Sequence, residues 1–140
     1  MTQTVTDMLR KLNSFREFED GWYEVYSKAT NHELIDFVDE ILTFYTSDDI
    51  ASQWTMGPTG DGGIAFESGG LHEVRVWDVE LFYDTRPNVN QWVLSVVEID
   101  DYKKTDPEYN ELEFRSRSLL NESFAQFFRQ ALEKRIFTWE

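Results

Sequence analysis

The spacing of apolar side chains changes period along this chain, and the changes divide it into elements. Val5, Met8, Leu9, Leu12 and Phe15 repeat at the period of one helix face, which predicts a first helix over roughly residues 4–17. The pattern breaks in EFEDGWYEVYSKAT, with Gly21 as a turn. Leu34, Phe37, Val38, Ile41, Leu42 and Tyr45 then form a wider stripe, predicting a second helix that starts at TNHE and ends near TSDD. Thr30 and Glu33 have the spacing of a capping box, in which each side chain satisfies a backbone donor at the helix start.

From Gln53 the period falls to two. QWTM and GIAFE read as short strands with a glycine turn between them, and SGG as the turn into LHEVRVW. VELFY either continues that strand or begins another after a bend at Asp78. TRPNVN reads as a loop. QWVLSVVEI puts Trp92, Leu94 and Val96 on one face and Val93, Val97 and Ile99 on the other, the pattern of a central strand covered on both sides. DDYKKTDPEYN is a charged loop. In ELEFRSRS, Glu111, Glu113, Arg115 and Arg117 share one face, with Leu112 and Phe114 opposite. A last helix, capped by Asn121 or Ser118, aligns Leu120, Phe124, Phe127, Phe128, Ala131 and Leu132 and ends near Arg135. The order predicts one α+β domain: two N-terminal helices, a central antiparallel sheet of about four to six strands, and a C-terminal helix packed on the sheet.

Composition narrows the chemistry. A chain of 140 residues is long enough to bury a hydrophobic core. It has no cysteine, which excludes a disulfide, a zinc–thiolate site and a thiol nucleophile. MTQTVTDMLRKLNSF mixes charges into its apolar positions, and no run approaches the roughly 20 apolar residues of a membrane span, so a soluble, cytoplasmic protein without membrane contact is expected. The 27 Asp and Glu outnumber the 13 Lys and Arg, giving a net charge of −14. Such a chain is repelled by phosphate backbones and drawn toward basic surfaces, so direct nucleic-acid binding is not expected and a basic protein partner is. Solubility alone is the plainer reason for the same excess. Nothing in the pattern sets an oligomeric state.

The stretch MGPTGDGGIAFESGG invites a ligand-loop reading and fails it. It lacks the lysine of a phosphate loop, sets Asp61 where phosphate would be repelled, and is followed by an alternating segment in place of a helix. As a calcium loop it offers one carboxylate, with Thr59 as a weak oxygen ligand, against the six to eight oxygens calcium takes. Hairpin turns with positive φ at Gly60, Gly62 and Gly69 are expected instead. His32 and His72 belong to no metal-binding or catalytic spacing, and no G-x-S-x-G elbow occurs. No catalysis, metal or cofactor is expected.

Acidic placement is more informative. Glu33, Asp36, Asp39 and Glu40 all fall opposite the apolar stripe of the second helix, where no lysine or arginine offsets their repulsion. EFEDGWYE sets Trp22 and Tyr23 among Glu17, Glu19, Asp20 and Glu24, an arrangement of aromatic anchors within a charged rim. Candidate partner-binding residues are therefore Glu33, Asp36, Asp39 and Glu40 for steering, with Trp22, Tyr23, Glu19 and Asp20 as a second patch. Glu98 to Glu113 forms a third acidic stretch, softened by Lys103 and Lys104.

FEDGW followed by a helix, then GPTGDGGIAFE leading into an alternating strand, resembles a family of small bacterial domains with a G-W-D-G then P-T-x-D-G-G-I pattern. Gly21, Trp22, Pro58, Thr59, Asp61, Gly62, Gly63, Ile64 and Glu67 carry the match, over about the first 85 residues. Tyr23 and Glu24 stand where the family tends to show Asp-Gly, and Ser68 where it tends to show Trp. NESFAQFFRQAL also resembles the terminal helix of toxin-immunity domains. These resemblances imply a bacterial or phage protein that acts by protein–protein contact. The function expected is that of an immunity protein, antitoxin or anti-defence inhibitor, neutralising a basic partner such as a nuclease or nucleic-acid-binding factor. Two alternatives stand beside it: a small-ligand or peptide module with Trp54, Trp77 and Trp92 lining a pocket on the sheet, and a structural subunit with a self-complementary apolar patch.

Overall fold

The computed structural model of the protein describes residues 4–17, 28–45, 47–59, 63–68, 76–84, 86, 88–99 and 109–135. Helix α1, Val5–Ser14, begins at Thr4, whose hydroxyl accepts from the Asp7 amide while the Asp7 carboxylate accepts from the Thr4 amide, both at 3.1 Å. This is a complete capping box, and the Thr4 backbone amide, followed by the Thr4 hydroxyl, holds the Asp7 carboxyl below its usual pKa. A 3-10 turn, Phe15–Glu17, completes the predicted first helix. Helix α2 spans Lys28–Thr43. It starts two residues before Thr30, so Thr30, expected as the cap residue of a capping box with Glu33, lies inside the helix; the KATN segment continues the helix backward where the apolar stripe gives no signal.

Five strands follow: β1 Thr55–Pro58, β2 Ile64–Ser68, β3 Val76–Asp84, β4 Gln91–Ile99 and β5 Tyr109–Ser116. They form one antiparallel sheet in chain order. VELFY continues β3 without a bend, pairing with β4 from Val76↔Ile99 to Asp84↔Gln91. Gln53 lies in a 3-10 turn before the sheet, so β1 begins later than the alternation suggested. In the β1–β2 hairpin the Thr59 amide donates to the Gly63 carbonyl at 2.9 Å, and the Gly63 amide to the Thr59 hydroxyl at 2.8 Å. Gly63 is required by space: a Cβ there would sit 2.6 Å from the Leu81 carbonyl oxygen and 2.9 Å from the Phe82 Cβ. The expected turn glycines Gly60, Gly62 and Gly69 lie outside the described residues.

Helix α3, Glu122–Leu132, is capped by the Asn121 side chain accepting from the Phe124 amide. Its last turn closes with the Arg135 amide on the Gln130 carbonyl and the Lys134 amide on the Ala131 carbonyl, with Lys134 at φ 58°. The Leu132 carbonyl, left over by that geometry, accepts from Trp54 Nε1 at 3.0 Å inside the core. Leu120 precedes the cap and is not part of the apolar face of α3; it is 93% exposed.

The three helices and one face of the sheet share a single core. Phe66 from β2 meets Phe128, Phe128 and Phe124 meet Phe37 from α2, and Phe124 and Phe127 meet Phe114 from β5, all with ring centroids 5.0 to 5.8 Å apart. Met8, Leu12 and Phe15 close the core beneath α1. β3 is the central strand and β4 the next one out. Trp92, Leu94 and Val96 face the helices, whereas Val93 lies on the other face between its neighbours Phe82 and Arg115. Among the described residues no helix covers that second face, where Val93 is nonetheless fully buried. Nor is any described helix long and apolar enough to cross a membrane.

Candidate functional site

Helices α2 and α3 run in the same direction. Phe37 packs on Phe124 and Phe128, and one helical stretch later the Tyr45 hydroxyl donates to Glu133 at 2.9 Å. Burial, together with that carboxylate, pushes the Tyr45 phenol above its ordinary pKa. The helices diverge at the surface and leave a groove of about 640 Å³. Phe37, Ile41 and Ala125 line it among apolar neighbours, and Glu33, Asp36, Glu40 and Glu122 supply its carboxylates.

Three large apolar side chains are exposed among the described residues, and two of them line this groove: Phe44 at 66% and Leu120 at 93%, against Leu112 at 39% on β5. Arg129, the arginine in the wall, lies 5.3 Å over the Phe44 ring and 3.8 Å from Glu122. His32 also lines the groove, and its buried Nε2 has no hydrogen-bond partner.

The four acidic residues singled out on α2 do not act as one set. Glu33 and Glu40 are exposed and open to the groove. Asp36 is exposed on the same wall but is ion-paired with Arg16 from the 3-10 turn after α1. Asp39 turns the other way: its carboxylate accepts from Asn13 Nδ2 at 2.9 Å and ties α2 to α1. The unopposed acidic face expected from the helix alone is thus corrected, because Arg16 arrives from a neighbouring element. Glu19, Asp20, Trp22 and Tyr23 lie outside the described residues, as does His72.

The open face of the sheet is a second acidic surface. Glu67, Asp78, Val97 and Glu111 lie side by side across it from β2 to β5. Glu67 and Asp78 are direct cross-strand neighbours, and burial followed by the Glu67 charge raises the Asp78 carboxyl above its ordinary pKa. Nearer the β3–β4 loop the charges are paired. Asp84, 7% exposed, accepts from Arg86 Nε at 2.9 Å and Arg115 Nη1 at 3.0 Å, while Arg115 Nε reaches Glu113 at 2.9 Å. The hydrogen bonds from Arg86 and then Arg115 hold the Asp84 carboxyl well below the usual carboxylate range.

Trp54, Trp77 and Trp92, the residues that would have lined a sheet pocket, are 2%, 4% and 3% exposed and belong to the core. These tryptophans line neither the α2–α3 groove nor the smaller hollow of about 230 Å³ over β1 and β2. Among the described residues no three His, Asp or Glu side chains gather into a group that could hold a metal. No family model matches the chain, and neither a curated protein nor a solved structure is significantly similar to it.

Sequence reasoning missed the groove itself. Phe44 and Leu120 each sit just outside a helical stripe, one after the end of α2 and the other before the cap of α3. That displacement was the available signal, since an apolar residue beyond a helix end has no core face to join.

Proposed function

We propose that the protein binds and neutralises a basic partner protein, in the manner of an immunity protein, antitoxin or anti-defence inhibitor. The observation that carries this reading is the α2–α3 groove, where exposed apolar side chains are set among the carboxylates of Glu33, Glu40 and Glu122. An apolar centre with a charged rim is the usual anatomy of a protein interface. The net charge of −14 adds a long-range field that accelerates encounter with a positive surface. Nucleases and nucleic-acid-binding factors present such surfaces, and a carboxylate-lined inhibitor competes there with phosphate. A cysteine-free chain is suited to such work in the cytoplasm.

Affinity purification of the tagged protein from the cells that make it, at low and at high salt, tests this directly. The expected result is one basic protein retained at low salt and released at high salt. Recovery of no basic protein, or of a partner indifferent to salt, would overturn it.

A further inference from the structure

The groove is built for one kind of segment. Its α2 wall runs from His32 to Phe44, just past the helix end, a span of about 18 Å at helical rise. One wall is α2 and the other is the turn 119–121 with the first turns of α3; neither is a strand edge, and the helical backbone is bonded internally. They present no free row of N–H and C=O groups, so an extended peptide laid here would leave its own backbone unsatisfied by the protein. A helix brings its backbone already bonded and needs only side-chain contacts.

Spacing agrees with this. Glu33, Phe37 and Glu40 on α2 and Phe44 just beyond its end advance in steps of three or four residues, one per turn, which is the repeat of side chains along one face of a docked helix. Charge selects the occupant. A second copy of this chain would bring the same carboxylates and a further net −14 against the rim, whereas lysines or arginines complement it.

Resting on the proposal of a basic partner, we infer that the groove takes one amphipathic basic helix of that partner. The helix seats its apolar side chains between Phe44 and Leu120 and sets its lysines or arginines against Glu33, Glu40 and Glu122. Asp36 contributes less because Arg16 already occupies it, and Glu122 less than Glu33 or Glu40 because Arg129 lies 3.8 Å from it.

The test uses the whole protein and three probes. The first is a Lys/Leu/Ala peptide of about three to four helical turns with leucines on one face; the second is the same composition shuffled to remove the face; the third is oligolysine. Each is titrated into isotope-labelled protein and followed by amide NMR and circular dichroism. The amphipathic peptide is expected to become helical on binding and to shift amides of residues 32–44 and 119–129. The shuffled peptide is expected to bind about tenfold more weakly. Phe44→Ser and Leu120→Ser, both at solvent-exposed positions, are each expected to weaken the amphipathic peptide by about five- to tenfold.

Equal binding of the shuffled peptide or oligolysine would overturn the helix inference while leaving a basic partner in place. Failure of all three probes would overturn both. A dimer in the absence of peptide that Leu120→Ser dissociates would assign the groove to a second copy and overturn the inference.

Discussion

The protein carries two acidic surfaces, and they differ in what surrounds the carboxylates. On the open sheet face, acidic groups lie over side chains that already shield one another, and at one end Asp84 and Glu113 are held by Arg86 and Arg115. In the α2–α3 groove, Glu33 and Glu40 border Phe44 and Leu120, which stand in solvent. Charge alone steers, but it takes desolvated apolar contact to hold a partner. On the proposed reading, the sheet face serves solubility and the groove docks a partner, although both surfaces carry charge of the same sign.

Both surfaces rest on one core, and the largest predicted effect tests that. Phe128 joins Phe66 under the sheet to Phe37 under the groove. Phe128→Ala is expected to cost about 3–5 kcal/mol in denaturant unfolding, as a single transition seen equally by probes on both sides. Two separated transitions would mean that the surfaces belong to independent units.

Next in size is the paired end of the sheet. Asp84 has a depressed pKa, so its contribution is present above the ordinary value of 3.8 and is lost as pH falls below it. Asp84→Asn should lower the melting temperature at neutral pH, and the gap to the wild type should close on acidification through that range. A gap independent of pH would show that the arginine pairs contribute nothing through ionisation.

The smallest effect is expected at Asp78, with the opposite sign. Its raised pKa means that ionisation opposes folding, a penalty that acts above the folded pKa and is relieved as pH falls through it toward 3.8. Asp78→Asn is expected to stabilise the protein at neutral pH by less than about 1 kcal/mol, since the site is half open to solvent and screened. Destabilisation at neutral pH would contradict the reading of this face as a surface under self-repulsion.

Much of the fold was legible because period follows packing. The helical stripes of α2 and α3, Leu120 apart, marked the core-facing side of each helix, and the alternation in β5 separated its charged face from its apolar one. Position within the sheet was less legible: β4 is apolar on both faces, yet β3 is the central strand, and among the described residues no helix covers the face where Val93 lies between Phe82 and Arg115. Helix starts were hidden where the first turn is polar, as at Lys28, and Gly63 showed its importance only when the Leu81 carbonyl lay against it. For the site, the sequence put Glu33, Asp36, Asp39 and Glu40 on one helix. It could not show that Asn13 engages Asp39 and that Arg16 engages Asp36, since both come from the preceding helical segment. The groove depends on the parallel approach of α2 and α3, which no local pattern encodes.

The central claim is that the groove, and not the sheet face, is where a basic partner engages. Two double reversals address it, Glu33→Lys with Glu40→Lys in the groove and Glu67→Lys with Glu111→Lys on the sheet. Each moves the net charge from −14 by the same amount, so bulk attraction changes equally. The measurement is the association rate of the amphipathic basic peptide by stopped flow, across a range of salt. The groove pair is predicted to slow association by about tenfold or more and to flatten its salt dependence, while the sheet pair changes it by no more than about twofold. Equal slowing by both pairs, or greater slowing by the sheet pair, would contradict the account.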